Sequence, residues 1–274
     1  MSQRPYQITQ RQKEILAEVQ LDADLPIADV TKRVRLPEFT VRRALTLLHD
    51  RGIIERLWYL NPFANGYGLY DILLEPTPTA LAKPDKLLHV LMRRPEVEFI
   101  TELAGTFAFS VTVRCKTLES VTELIGSVSA ACPGFIGAKE ISTCLSLTDV
   151  PVFRSSRQSR RKTRLSFVTE STPTVLDDID ERILSQMRIT PEVSLTSLAR
   201  ALGMPSTTVS YRVGTLRERG AIVGARYFVD MFRLGYSYVL HWIALRGNGS
   251  RYMDEIQARL QAIPGVYFTL RCLG

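Results

Sequence analysis

Met204-Pro205-Ser206-Thr207-Thr208-Val209-Ser210-Tyr211-Arg212-Val213 decides the fold, because the chain carries a second version of it. That version is Leu36-Pro37-Glu38-Phe39-Thr40-Val41-Arg42-Arg43-Ala44-Leu45. The correspondence extends outward in both directions. Thr9 to Leu16 lies over Asp177 to Leu184, and Arg51-Gly52-Ile53-Ile54 lies over Arg219-Gly220-Ala221-Ile222. Gly52 and Gly220 are 168 residues apart, and every one of these matches keeps that offset. Further on it slips by one, with Pro95-Glu-Val97-Glu-Phe99 over Pro264-Gly-Val266-Tyr-Phe268. Self-similarity at a fixed offset identifies one structural unit present twice. Gly274 aligns with Gly105, so the second copy has no counterpart to the stretch from Gly105 to about Val150, and its last part is expected to be incomplete.

Each copy opens on a helix start. Thr9 with Gln12, and Asp177 with Asp180, place a capping side chain three residues before an acceptor. Apolar residues then recur at helical spacing: Ile15, Leu16 and Val19, matched by Ile183, Leu184 and Met187. A short second helix carries Ile27 and Val30, or Leu195 and Leu198, with Ser194 as N-cap in copy two and Pro26 in its place in copy one. A tight turn leads to a third helix that buries Val41, Leu45 and Leu48, or Val209, Val213 and Leu216. Gly52 and Gly220 suit the left-handed position after its end. A hairpin is expected next in each copy, over Ile53–Leu60 and Ile222–Val229. Three helices and a hairpin make a winged helix-turn-helix.

The remainder of copy one reads β-α-β-β-α-β: Leu69–Leu74, a helix near Pro84–Arg93, Val97–Leu103, Phe107–Cys115, a helix near Leu118–Ala130, and Ile136–Thr148. That order is ferredoxin-like. Copy two offers only a strand at Tyr236–Leu245, a helix near Tyr252–Ala262 and a strand at Val266–Leu270. The predicted fold class is α+β, with tandem winged helix-turn-helix and ferredoxin-like (βαββαβ) domains, the second ferredoxin-like domain incomplete. The predicted boundaries are residues 1–62, 63–152, a basic linker at 153–174, 175–232 and 233–274.

The 274 residues hold 35 Lys and Arg against 28 Asp and Glu, a net charge of +7 that fits a polyanionic partner. Arg154, Arg157, Arg160, Arg161, Lys162 and Arg164 supply most of the excess; they are read either as an arm on phosphates or as a solvated linker. Cys115, Cys132, Cys144 and Cys272 lack metal or redox spacing, so buried free thiols and no metal are expected. No apolar run is long enough for a bilayer span, and a cytoplasmic protein without a membrane partner is expected. His49, His89 and His241 are isolated, and no catalytic constellation stands out.

From Leu176-Asp-Asp-Ile-Asp-Glu-Arg-Ile-Leu through Leu198-Ala-Arg-Ala-Leu-Gly203 to Leu216-Arg-Glu-Arg-Gly220-Ala-Ile, the chain resembles the Lrp/AsnC (feast/famine) transcription regulators. The resemblance implies a DNA-binding regulator, not an enzyme, that oligomerises through its ferredoxin-like domain. Its partners would be double-stranded DNA and further copies of the chain, with no cofactor beyond a small effector such as an amino acid. The recognition helix presents Ser206, Thr207, Thr208, Ser210, Tyr211 and Arg212 in copy two and Glu38, Phe39, Thr40, Arg42 and Arg43 in copy one. Arg217, with Arg219, Arg226, Arg51 and Arg56, is a candidate phosphate contact. The effector candidates are Gly105, Thr106 and Phe107, where the family's loop usually carries two acids that are absent here. Copy one also has Arg35 where copy two has Gly203. Two other readings share the outline: a tetrapyrrole enzyme resembling the sirohaem decarboxylases, and a protein-interaction adaptor with Val266–Leu270 as a free strand edge.

Overall fold

The structure is a computed structural model that describes residues 4–154, 165–169, 174–245 and 252–273. In chain order, its first elements are α1 (Gln10–Val19), α2 (Ile27–Val34), α3 (Glu38–Asp50) and β1 (Ile54–Leu60). Then come β2 (Gly68–Pro76), α4 (Pro78–Leu81), α5 (Pro84–Met92), β3 (Val97–Glu102), β4 (Phe109–Cys115), α6 (Leu118–Ala131), β5 (Ile136–Asp149) and β6 (Leu165–Val168). The second helical module is α7 (Asp178–Ile189), α8 (Leu195–Leu202), α9 (Ser206–Glu218) and β7 (Ile222–Val229), followed by α10 (Met253–Ala262) and β8 (Phe268–Leu273). The chain divides into two compact units, one holding both helical modules with α10, the other holding β2, β3 and β4 with α4, α5, α6 and β5 as far as Leu147. Thr148 and Asp149 belong to the first unit.

In the first unit the expected capping boxes are present at Thr9–Gln12 and Asp177–Asp180. The predicted apolar triplets of α3 and α9 are buried. The expected hairpins are not formed. Each module contributes one strand, and β1 pairs antiparallel with β7 of the other copy. A lone strand leaves its backbone N–H and C=O groups unpaired, and the repeated strand is the partner that satisfies them. Leu57 lies opposite Arg226, Trp58 opposite Ala225, Arg56 opposite Tyr227 and Tyr59 opposite Gly224. Shifting every residue by the repeat offset of 168 exchanges the first two pairs with each other, and likewise the last two. The ladder therefore has a local two-fold axis between Leu57 and Trp58, broken only by the bulge at Tyr59/Leu60.

The exchange reaches the cores. Val229 and Leu234 of the second copy pack with Ile15, Leu16, Val41 and Leu48 of the first. Trp58 of the first copy packs with Ile183, Met187, Val209 and Leu216 of the second. The indole Nε1 of Trp58 donates to the Val193 carbonyl at 2.8 Å, and its backbone N–H to the Pro191 carbonyl at 3.0 Å. Each module on its own is small for a hydrophobic core, and sharing strands enlarges both.

In the second unit, β2 lies between β4 and β5, and β3 flanks β4, which is the ferredoxin-like order. One face packs on α5 and α6 through Ile72, Leu74, Leu87, Leu91, Val111, Val121 and Val128. Other parts of the chain depart from expectation. Inside the segment read as a linker, Leu165–Val168 forms β6 beside β5, with Leu165 and Phe167 buried; the alternation Leu165-Ser-Phe167-Val was its signal. The strand expected at Tyr236–Leu245 is not formed. In copy one the corresponding strand, β2, has a neighbour on each side, and no described strand pairs with Tyr236–Leu245. The last predicted strand appears as β8, two residues later than expected, and pairs with β5. Among the described residues no helix is long and apolar enough to cross a membrane.

Candidate nucleic-acid interface

α3 and α9 begin immediately after Pro37 and Pro205, neither with a side-chain cap, which leaves the N-terminal N–H groups of both helices open. Such a terminus favours phosphate. The preceding turns differ. α8 ends at Gly203 in the left-handed conformation with φ 66°, while α2 ends at Arg35 with φ 56°. Arg35 is the non-glycine residue with positive φ among those described.

On α9, Ser206, Thr207, Ser210 and Tyr211 are exposed and Thr208 is half-buried. Tyr211 is 74 % exposed, which leaves its ring and hydroxyl in solvent. Arg212 turns back toward its own module. Its guanidinium pairs with Asp177 and, at 3.1 Å, with Asp180, the two acids of the α7 capping box. The Arg212 hydrogen bond, followed by the Asp180 backbone N–H, holds the Asp177 carboxyl below the usual range for aspartate. On α3, Glu38, Phe39, Arg42 and Arg43 are exposed and Thr40 is half-buried. Arg42 pairs with Glu38 one turn away at 2.6 Å, so these two charges compensate each other locally.

The arginines read as phosphate contacts have other neighbours. Arg217 and Arg56 both bind Asp24, at 2.8 and 2.5 Å, and both lie over the Trp58 ring. That cluster joins the α1–α2 turn, β1 and α9 within the first unit. Arg226 binds Asp149 at 2.6 Å and lies over the Tyr59 ring, whose hydroxyl donates to the same carboxylate. Burial pushes the Asp149 carboxyl up, and Arg226 opposes part of that rise. Arg219 and Arg51 are the C-cap residues of α9 and α3, and the Arg219 guanidinium reaches the Val175 carbonyl. Of the basic segment, Arg154 is described: it donates to the carbonyls of Gln261, Ala262, Ile263 and Val266 at the end of α10. Its guanidinium thus caps that helix. Arg157, Arg160, Arg161, Lys162 and Arg164 lie outside the described residues.

Sequence reasoning missed Asp24 and Asp149. Neither sits in a motif, and only the fold brings their arginine partners to them. It also missed Asp71 on β2, a buried carboxyl that accepts hydrogen bonds from Thr112 at 2.6 Å and Ser110 at 3.4 Å. Burial raises its pKa, and the hydrogen bonds oppose that rise. Cys272 approaches the same carboxylate and shares a hydrogen bond with Cys144. All four thiols are free, and Cys115, Cys132 and Cys144 are buried. Gly105 and Thr106 sit exposed on the loop between β3 and β4, with Phe107 half-buried, and Leu103 N–H to the Ala108 carbonyl closes that loop at 2.7 Å.

Comparison with known proteins agrees with this geometry. The winged helix-turn-helix DNA-binding family matches residues 176–223, the span of α7, α8 and α9. The transcriptional regulator LrpA of Pyrococcus horikoshii is 29 % identical over 140 residues, a match covering 47 % of this chain and 96 % of LrpA. The proline dehydrogenase transcriptional activator of Rhodobacter capsulatus is 31 % identical over 94 residues, 34 % of this chain and 60 % of the activator. The solved structure of the sirohaem decarboxylase NirDL with an iron-uroporphyrin III analogue covers 95 % of this chain and 76 % of its own, with TM-score 0.57 and 15 % identity. That likeness is one of fold. The duplicated helix-turn-helix pattern, the ferredoxin-like sheet order and these relatives together make the chain similar to Lrp-type helix-turn-helix transcriptional regulators.

Proposed function

We propose that the protein is a sequence-specific DNA-binding transcription regulator of Lrp/AsnC type. The observation that carries this reading is the pair of helices, α3 and α9, each with an uncapped N-terminus after a tight turn and an outward face of polar, charged or aromatic side chains. A helix of this kind places its N-terminal residues in the major groove. In copy two, Ser206, Thr207, Thr208, Ser210 and Tyr211 offer hydroxyls to base edges and phosphates, while Arg212 braces the helix from behind. In copy one, Thr40 and Arg43 do the reading, with Glu38 and Arg42 compensating each other. Arg217 acts through Asp24 and Trp58, by holding α9 in place. The two reading modules are residues 1–62 and 175–232. Residues 63–152 form the ferredoxin-like domain through which copies of the chain associate, and its Gly105–Phe107 loop is where an amino-acid effector would be sought. The transcriptional regulators similar to this chain support the reading.

Fluorescence anisotropy tests it, using DNA upstream of the protein's own gene against scrambled DNA of equal length. We expect a preference for the upstream DNA that survives salt of about 150 mM. Equal binding to both, vanishing with salt, would leave only the net positive charge at work and overturn the reading. Iron-uroporphyrin in a parallel titration tests for the kind of ligand present in the NirDL structure. A shifted Soret band with no DNA preference would transfer the chain to that chemistry.

A further inference from the structure

We propose that a single chain reads two half-sites of different sequence, so that its operator is asymmetric. This rests on the DNA-binding reading above and adds what the ligand must look like. Two observations carry it. The first is that α3 and α9 belong to one unit whose central β1–β7 ladder maps onto itself under the repeat offset. Val229 and Leu234 on one side and Trp58 on the other lock each module into its neighbour's core. One chain therefore holds two recognition helices around a local two-fold axis, an arrangement that otherwise takes two identical chains.

The second observation is that the two faces are chemically unlike at matched positions. Glu38, Phe39, Arg42 and Arg43 of α3 correspond to Ser206, Thr207, Ser210 and Tyr211 of α9, and only Thr40 and Thr208 are alike. The α3 face offers an exposed guanidinium at Arg43 and an apolar ring at Phe39, 69 % exposed. Arg suits guanine O6 and N7, and an apolar ring suits the thymine methyl. The α9 face offers hydroxyls and no cation, because Arg212 is turned onto Asp177 and Asp180. Hydroxyls donate to or accept from either base of a pair. A two-fold scaffold carrying unlike readers selects an inverted arrangement of two different half-sites.

The test is in vitro selection from random duplex DNA by the full chain, beside a variant with Glu38→Ser, Phe39→Thr, Arg42→Ser and Arg43→Tyr. All four positions are exposed, and the changes copy the α9 face onto α3. We expect the unaltered chain to enrich sites with two distinct half-site motifs. The variant should enrich an inverted repeat of one of them, the half read by α9. If the variant fails to fold, Arg43→Ala and Tyr211→Ala take its place. Each should lower discrimination about tenfold at one half-site and leave the other unchanged. One motif repeated in every site selected by the unaltered chain would overturn the proposal while leaving the DNA-binding reading intact. So would a four-position variant that selects the same pair of motifs, or single variants that weaken both halves equally. No enrichment at all would overturn the DNA-binding reading, and this proposal with it.

Discussion

The two helix-turn-helix modules reach the same backbone course with different chemistry at three matched places. Module one caps α1 with the neutral pair Thr9 and Gln12, and Gln12 also donates to the Tyr6 hydroxyl at 2.9 Å. Module two caps α7 with Asp177 and Asp180 and clamps both acids with Arg212 from α9. The residue of α3 that corresponds to Arg212 is Ala44, so module one has no such clamp. At the turn before the recognition helix, Arg35 holds the left-handed conformation that Gly203 adopts without a Cβ. On the shared ladder, Trp58 and Arg226 occupy matched positions beside the local axis. Trp58 fills a core, whereas Arg226 binds the buried Asp149. Module two is thus tied together by charge and relaxed at its turn. Module one has a neutral cap on α1, an Arg33–Glu18 pair at 3.4 Å between α2 and α1, and a strained turn.

The largest break in this comparison is Trp58→Ala. It removes a buried indole that belongs to one module and fills the core of the other, and should cost about 3–5 kcal/mol. Guanidinium unfolding followed by circular dichroism reads the loss. If the modules are interlocked as described, protection from hydrogen exchange falls in α7–α9 as well as at β1. Loss confined to residues near Trp58 would mean that the modules fold independently.

The turn comes next. Arg35→Gly should stabilise the chain by about 1 kcal/mol, and Gly203→Arg should destabilise it by a similar amount. Opposite shifts in midpoint temperature would sharpen the contrast; equal shifts of one sign would remove it.

A smaller difference depends on pH. Because Asp177 titrates below its ordinary value in the folded chain, its contribution is full above the ordinary aspartate pKa. It is lost as pH falls through the lowered value. Module two should therefore loosen in acid through this site, whereas the Thr9–Gln12 cap carries no such dependence. Asp177→Thr with Asp180→Gln should flatten the acid limb of a melting-temperature profile. An unchanged limb would mean that the acid sensitivity lies elsewhere.

The smallest effect is at the exposed Glu38–Arg42 pair. Its coupling in a double-mutant cycle should be about 0.3–0.5 kcal/mol, vanishing in high salt. A larger, salt-insensitive coupling would mean that the pair is doing more than neutralising the α3 face.

Much of the fold and part of the candidate site are legible in the sequence. Helix starts, caps and buried triplets are local properties, set by residues three or four apart. The βαββαβ order of elements is local in the same sense. What escaped were the pairings between the two modules and the charge pairs across long sequence separations. The β1–β7 ladder replaced two expected hairpins because a strand's partner is chosen by where the modules meet. β6 was hidden in a segment whose overall composition reads as linker. Arg212 reads as part of the DNA-reading face, and Arg56, Arg217 and Arg226 as phosphate contacts, because Asp24, Asp149, Asp177 and Asp180 are distant from them in sequence.

By itself, then, the sequence determined that the helix-turn-helix pattern occurs twice, where the helices of these modules begin, and which of their side chains face inward. Those outcomes follow from backbone conformation and hydrophobic periodicity, which act over one or two turns of chain. The tertiary structure alone decided that the two helix-turn-helix modules interlock, which arginines brace them and which are left facing outward. It also decided that two unlike recognition helices share one axis. Charge pairing and strand pairing depend on distance in space, and only packing brings residues some 170 positions apart within hydrogen-bonding reach.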